Sequence, residues 1–406
     1  MNPYFPQKRV IVTEYEFSHR VSGLQPSLIR EFFKYNGLPG YMPFSAGNPS
    51  AETFPAEAIE TIAEDIFKNH PVTALQYGIT EGYTPLRETL RQFSRKRYGI
   101  GTQNDELIVT SGSQQIMYLS TKVLVNEGDT VLVENPSFVG SLNAFRSYGA
   151  KLVGVPLESD GVDVAALEQA MKTEKNIRFF YTIPNFQNPS GATMSWEKRK
   201  AVYALARQYG VLIIEDNPYG ELRVTGEDIP PIKSLDEDGL VIYAGSFSKV
   251  LAPGIRVGYC VAPKPIIAKL TVGKQVSDVH TPVFSQMLVD EWMKRYSIEE
   301  HIASLRAVYR QKLDLMCDLV EEKLSDYVTY TRPEGGLFVW CRLNDNIPML
   351  DYCQKAVANK VTIVPGSAFM PNDTDTTQCF RMNFSTPTDD QIRQGIDILA
   401  DLASQY

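Results

Sequence analysis

The 406-residue chain has no apolar run long enough to cross a bilayer, no basic block, no CxxC pair and only four histidines, which are scattered. Each absence removes a class of function. A helix needs about 20 mostly apolar residues to cross the hydrocarbon core of a bilayer. The first residues, MNPYFPQKRV, lack the apolar centre of a secretion signal. A net charge of −8, with no clustered Lys and Arg, argues against nucleic acid as the main partner, because phosphate neutralisation needs concentrated positive charge. Five widely spaced cysteines (Cys260, Cys317, Cys341, Cys353 and Cys379) form no metal-ligand cluster and are an odd number. Reduced thiols in the cytoplasm, and no metal, are the simplest reading. Repeats and low-complexity tracts are also missing.

What remains is ordinary globular composition, 43% hydrophobic and 22% charged. The length suits one large domain and a smaller one. Seven short runs rich in Val, Ile and aromatics read as buried strands: LIVT (107–110), TVLVE (130–134), KLVGVP (151–156), RFFYTI (178–183), VLIIED (211–216), VIYAGS (241–246) and VGYCVA (257–262). Most show no alternation, as expected where both sheet faces are covered. Helical segments such as 114–124, 162–171 and 196–208 separate most of them. That rhythm predicts an α/β fold with a mainly parallel seven-stranded sheet flanked by helices. After Val279 the pattern changes to two helical stretches reaching about Leu324. Then come a strand at 336–343, a helix at 349–359, strands at 361–364 and 379–384, and a closing helix at 388–404. The expected division is an N-terminal arm with part of the small domain (1–48), a large domain (49–280) and a small α+β domain (281–406). A helix at 56–68 and an amphipathic one around Ser27–Tyr35 are expected in the first two.

Ligands of open α/β sheets bind beyond the carboxyl ends of strands. Polar groups gather just there. Ser111-Gly112-Ser113-Gln114 follows the first strand and opens a helix, an anion cradle by its free N–H groups. Asn185 to Ser190 follow the fourth, and Asp216 ends the fifth. The sixth is followed by Ser246-Phe247-Ser248-Lys249 and then Arg256, two hydroxyls and a guanidinium beside one lysine.

With these stretches, and with LQYGITEGYTPLR (75–87), NPSF (135–138), PNFQNPSG (184–191), EDNPYGEL (215–222), GSFSKVLAPGIRVGY (245–259), KQVSDVHTP (274–282), GGLFVW (335–340) and FRMNFS (380–385), the sequence resembles the class I/II aminotransferases of fold type I. Within them it is most similar to the 2-aminoadipate/kynurenine branch. The resemblance implies a pyridoxal 5'-phosphate enzyme and assigns roles by motif. Lys249 matches the Schiff-base lysine. Asp216 matches the carboxylate paired with the pyridine nitrogen, and Asn188 and Tyr219 the groups that bond the cofactor's phenolic oxygen. Ser113, Gln114, Ser246, Ser248 and Arg256 match the phosphate cup, with Tyr77 reaching it from the neighbouring subunit of a homodimer. Gly47 matches a loop glycine beside the substrate, and Arg381 the arginine that grips the substrate α-carboxylate. Phe138 stands where this branch often has Tyr. It can stack on the cofactor ring but cannot donate a hydrogen bond.

The implied activity is transamination between an L-amino acid and a 2-oxo acid such as 2-oxoglutarate. The alternative is C–S β-elimination on the same scaffold, since fold does not fix reaction. A transcription regulator with a related sensor domain would need a DNA-binding module, and the roughly 45 residues before SAGNP are too few and not basic. For the substrate side chain, Gln25–Glu31 resembles a short helix that covers the substrate. There Arg30 could meet a distal carboxylate or stack on an aromatic ring. His19, His70, His280 and His301 receive no role.

Overall fold

The computed structural model describes residues 15–22, 34–35, 38–372 and 374–406. Arg30 and most of the expected 27–35 helix lie outside the described residues.

All seven expected strands form, as β1 (Asp105–Thr110), β2 (Thr130–Asn135), β3 (Lys151–Glu158), β5 (Ile177–Thr182), β6 (Leu212–Asn217), β7 (Val241–Ser246) and β8 (Gly258–Pro263). An eighth, β4 (Gly161–Val162), pairs with the end of β3. Two residues are too few to leave a hydrophobic run, so the sequence does not announce it. The sheet order is β1-β8-β7-β6-β5-β2-β3-β4. From β3 to β7 the pairings are parallel. β8 alone runs against its two long neighbours, β7 and β1, so the sheet is mixed. The consequence is functional. Ser246 at the end of β7 lies opposite Gly258 at the start of β8. Arg256, just before β8, therefore reaches the edge where β1, β2, β5, β6 and β7 end.

Helices on both faces explain the near-continuous burial of β2, β6 and β7. Their ends follow local chemistry. Helix Thr84–Tyr98 carries a proline in its first turn and stops at Gly99, whose φ of +68° is left-handed. Helix Trp196–Tyr209 is capped by the Ser195 hydroxyl. Helix Asp389–Ala403 opens with a reciprocal Thr388–Gln391 capping box.

The smaller sheet has order β11-β12-β10-β9, from β9 (Val328–Tyr330), β10 (Phe338–Leu343), β11 (Val364–Pro365) and β12 (Cys379–Asn383). Only the last residue of the expected 361–364 strand joins it. Val361 instead bridges Met42, and the Thr362 amide donates to the Met42 carbonyl at 3.0 Å, an ordinary sheet-bond length. The segment after Met42 is stitched to this lobe. Phe44 is fully buried against Gly395, where a Cβ would meet its ring at 2.4 Å, and the Phe44 carbonyl accepts from the Asn383 amide at 2.7 Å. Gly47 is thus carried to β12. Helix Val283–Arg295, although it follows position 280, packs on helices Ala56–Asn69, Pro71–Leu75 and Thr84–Tyr98 of the large lobe.

Candidate active site

A cavity of about 590 Å³ opens at the carboxyl edge of the large sheet and is closed on one side by β10 and β12 of the small one. Gly47, Ser113, Gln114, Phe138, Asn188, Asp216, Tyr219, Ser246, Ser248, Lys249, Arg256 and Arg381 all line it. Tyr77 does not. It is 83% exposed on the large lobe, with its ring edge-on to His280 at 5.7 Å.

Lys249 Nζ donates to the Gly47 carbonyl at 2.6 Å. Burial of the ammonium lowers its pKa to about 8, with Arg381 and Arg256 pushing the same way. A lysine in such a place carries a substantial neutral fraction near physiological pH, as a nucleophile or base requires.

Asp216 is buried at the end of β6. Its Oδ2 accepts from the Tyr181 hydroxyl at 3.0 Å, and that hydroxyl accepts from Ser141 Oγ at 2.8 Å. Its Oδ1 has no hydrogen-bond partner among the described residues. Burial raises this carboxyl to about 7, against the opposing pull of the Tyr181 and Ser113 hydroxyls. A buried acceptor left bare beside a cavity fits a ligand donor, here a protonated ring nitrogen.

Arg381 reaches in from β12. Its Nη1 donates to Asn188 Oδ1 at 2.8 Å, and Nη2 to the Ser45 and Ala46 carbonyls at 2.9 and 3.2 Å. The guanidinium lies 4.1 Å from the Phe338 ring centroid and 5.0 Å from that of Phe369. Its Nε is buried without a partner among the described residues. Burial pulls the group down to about 9, which leaves it charged at neutral pH. Asn188 Nδ2 in turn donates to the Tyr219 hydroxyl at 3.4 Å. Burial raises the Tyr219 phenol.

At the other end Arg256 Nη2 donates to the Ser111 carbonyl at 2.9 Å, and Nη1 approaches Ser248 Oγ at 3.4 Å. Arg256 itself adopts left-handed backbone, φ +56°. Gly112 makes room for it: a Cβ there would lie 2.4 Å from the guanidinium. Gly258 is equally constrained, since its Cβ would meet the Gly112 carbonyl carbon at 2.7 Å. Two hydroxyls, a guanidinium and a helix start converge on an anion-sized space. Phe138 and Gln114 press against Gly140, where a Cβ would be 2.7 Å from each.

Several contributors escape sequence reasoning. Tyr181 sits in a fully buried strand, where a phenol needs a partner, and that partner is Asp216. Glu134, near the end of β2, accepts from Thr182 Oγ1 at 2.5 Å, the Ile183 amide at 3.2 Å and Gln187 Nε2 at 3.1 Å. It thereby holds the loop that carries Asn188. A charged residue inside TVLVEN is the available signal. Phe338 forms the floor under Arg381.

The pattern of the family Aminotransferase class I and II matches residues 39–399. This chain belongs to the class I and II aminotransferases. It is 41% identical over 389 residues to aromatic-amino-acid aminotransferase 1 of Thermococcus litoralis, covering 95% of this chain and 93% of that one. It is 37% identical over 383 residues to the 2-aminoadipate transaminase of Thermus thermophilus, covering 94% of each. Among solved structures it is similar to the Pyrococcus horikoshii kynurenine aminotransferase in complex with PMP, KYN and KYA, with TM-score 0.92, 39% identity and coverage of 96% and 97%. The fold is therefore that of fold type I, the enzyme an aminotransferase and its cofactor pyridoxal phosphate. The β-elimination alternative is not favoured. No helix among the described residues is long and apolar enough to cross a membrane.

Proposed function

We propose that this aminotransferase moves amino groups from aromatic amino acids, 2-aminoadipate or glutamate to 2-oxo acids such as 2-oxoglutarate, with Lys249 handling the proton at the substrate α-carbon. The observation that carries the residue roles is the lowered Lys249 ammonium in one cavity with the bare Asp216 oxygen and the Arg381 fork. The substrate range is supported by the relatives, named for aromatic amino acids, 2-aminoadipate and kynurenine.

Pyridoxal phosphate supplies an aldehyde for the substrate nitrogen and a ring that accepts the electron pair left at the α-carbon. The chain's residues do the rest. Ser113, Gln114, Ser246, Ser248 and Arg256 hold the phosphate. Asp216, aimed by Tyr181, keeps a proton on the ring nitrogen. Asn188 and Tyr219 bond the ring's phenolic oxygen, and Phe138 stacks on its face. Arg381 binds the α-carboxylate through its planar fork, oriented by Asn188 and packed between two aromatic rings. Gly47 brings backbone close to the substrate. Lys249 Nζ would take the α-proton as base and, as acid, return it to the carbon on the other side of the substrate nitrogen. Cytoplasmic residence belongs to the same reading, supported by five free cysteines.

The test is to mix the enzyme with each common amino acid, follow cofactor absorbance and identify products. Aromatic amino acids, 2-aminoadipate and glutamate are expected to give their 2-oxo acids without free ammonia. Ammonia and pyruvate from sulfur amino acids, with no amino transfer, would reverse the assignment.

The active unit in this reading is a homodimer. Val72, Leu75, Tyr77 and Ile79 are exposed along one stretch of the large lobe, an apolar surface that a second copy would cover. Tyr77 would then serve the partner's phosphate cup. The expected result is complementation. When Lys249→Ala and Tyr77→Ala chains are mixed and allowed to exchange subunits, one site of each heterodimer regains both groups. Activity should rise well above either parent. No rise despite demonstrated exchange, or a fully active monomer in sedimentation, contradicts the shared site.

A further inference from the structure

Behind the anion end of the cavity lies a cluster that no role above uses. Helix Lys264–Gln275 finishes in a turn folded back on itself, where the amides of Ser277, Asp278 and Val279 donate to the Lys274 carbonyl at 2.9, 3.0 and 3.1 Å. Val279 has φ +67°. A β-branched residue adopts left-handed backbone only where its surroundings impose it. The side chains on either side supply that constraint. Asp278 Oδ2 accepts from Ser111 Oγ at 3.1 Å and Gln115 Nε2 at 2.7 Å. Lys274 Nζ reaches both Asp278 oxygens at 2.9 Å and Gln115 Oε1 at 2.6 Å. On the far side, His280 Nε2 accepts from the Gly78 amide at 3.3 Å.

The Lys274 side chain is 0% exposed, so its charge needs a partner. Burial lowers the ammonium, with Asp278 pulling it back up. For Asp278, burial would raise the carboxyl, but the bonds from Gln115 and Lys274 outweigh it and hold it below its ordinary value. The two groups sit at ion-pair distance, Lys274 Nζ to Asp278 Oδ1 at 2.9 Å. Neither residue lines the cavity. Asp278 holds Ser111 and Gln115, and Lys274 holds Gln115; these two residues flank the ones that do. Ser111 gives its carbonyl to Arg256, its amide to Gln115 Oε1 at 2.9 Å, and its hydroxyl to Asp278.

We propose that Lys274 and Asp278 are positioning residues for the anionic end of the cofactor. Through Ser111 and Gln115 they fix the strand-to-helix turn that aims Ser113, Gln114 and the Arg256 guanidinium at one phosphate. This rests on the reading of those three residues as phosphate ligands. An ion pair of zero net charge contributes little field of its own, so its effect is geometric and confined to the phosphate. The aldehyde and ring, held by Lys249 and Asp216 elsewhere in the cavity, are not touched.

Pyridoxal, which has the ring and aldehyde but no phosphate, separates these effects. Cofactor-free protein is titrated with pyridoxal phosphate and with pyridoxal, following intrinsic fluorescence. Three variants are compared: Ser111→Ala, which leaves the charge pair in place; the double variant Lys274→Met, Asp278→Asn, which strands no lone buried charge; and Arg256→Ala as reference. Ser111→Ala and the double variant are each expected to weaken pyridoxal phosphate by about tenfold or more, with pyridoxal changed by less than about twofold. If Arg256→Ala shows that selective loss and Ser111→Ala does not, the positioning role is overturned. Equal losses for both ligands in Ser111→Ala also overturn it, because the turn would then be merely structural. If Arg256→Ala itself spares the preference for the phosphate, the phosphate-cup reading falls, and this proposal with it. Should the double variant fail to fold, Ser111→Ala alone decides between these outcomes.

Discussion

Lys249→Ala abolishes amino transfer while the protein stays folded. Among the described residues the group is the one primary amine on the cavity wall, bonded to the Gly47 carbonyl and lowered to about 8 by burial and two arginines. The other cations on the wall, Arg256 and Arg381, are guanidiniums, which make poor proton carriers. The loss should be at least about 10⁴-fold, the upper range for a positioned general base. Borohydride reduction of the holoenzyme followed by peptide mapping should label Lys249. Label on another lysine removes the assignment. The pH behaviour gives an independent check. The neutral amine is the reactive form, so capture of cofactor by the cofactor-free protein should speed up as pH rises through about 8 and then level off. The folded value lies below the reference 10.5, so the unfolded chain holds the extra proton between those values. Stability should accordingly gain from rising pH across that window, and Lys249→Ala should lose that gain. A variant that is inactive but melts no lower than its parent separates chemistry from folding.

What can be read from the chain, and what cannot, divides along physical lines. Most of the seven long strands are visible because they are largely buried and so appear as unbroken apolar runs, most clearly β2, β6 and β7, whereas β3 keeps one buried residue among eight. The direction of β8 is not, because a strand carries the same residues whichever way it runs. That direction is what brings Arg256 to the edge shared by Ser246 and Ser113. Strands β4 and β9, of two and three residues, are shorter than any periodicity can mark. Residues whose chemistry sits in one motif, such as Ser246 to Lys249, can be placed by inspection. Those that act through a partner far along the chain cannot. Tyr181 meets Asp216 across neighbouring strands, and Asp278 meets Ser111 across 167 positions. Only the folded sheet pairs them. Arg30, expected beside the substrate side chain, lies outside the described residues, so β10 and β12 supply the described substrate-side groups, Phe338 and Arg381.

Asp216→Asn leaves the fold nearly intact and cuts turnover by a factor of about 10² to 10³ or more, the usual scale for removing a preorganised charge from a water-excluded site. The wild-type carboxyl is held at one oxygen by the Tyr181 hydroxyl, 3.0 Å away, and is bare at the other. The Asn amide has the same shape and can still accept from Tyr181. Its other end becomes an NH2 donor facing the position of the ring nitrogen, where the aspartate offers an anion. The cofactor ring would lose its ionic partner at nitrogen and so would be a weaker acceptor for the electron pair that Lys249 would free at the α-carbon. The buried position of the carboxyl also predicts a titration. Burial raises Asp216 from the reference 3.8 to about 7 in the cofactor-free protein. Between those values the folded chain holds a proton that the unfolded chain has lost. The contribution of this group to stability is complete below about 4 and disappears as pH rises through about 7. Melting temperature measured from pH 4 to 8 without cofactor should show that decline in the parent and a smaller one in Asp216→Asn. Turnover near that of the parent, or parallel melting profiles in the two proteins, contradicts the role given to this carboxylate.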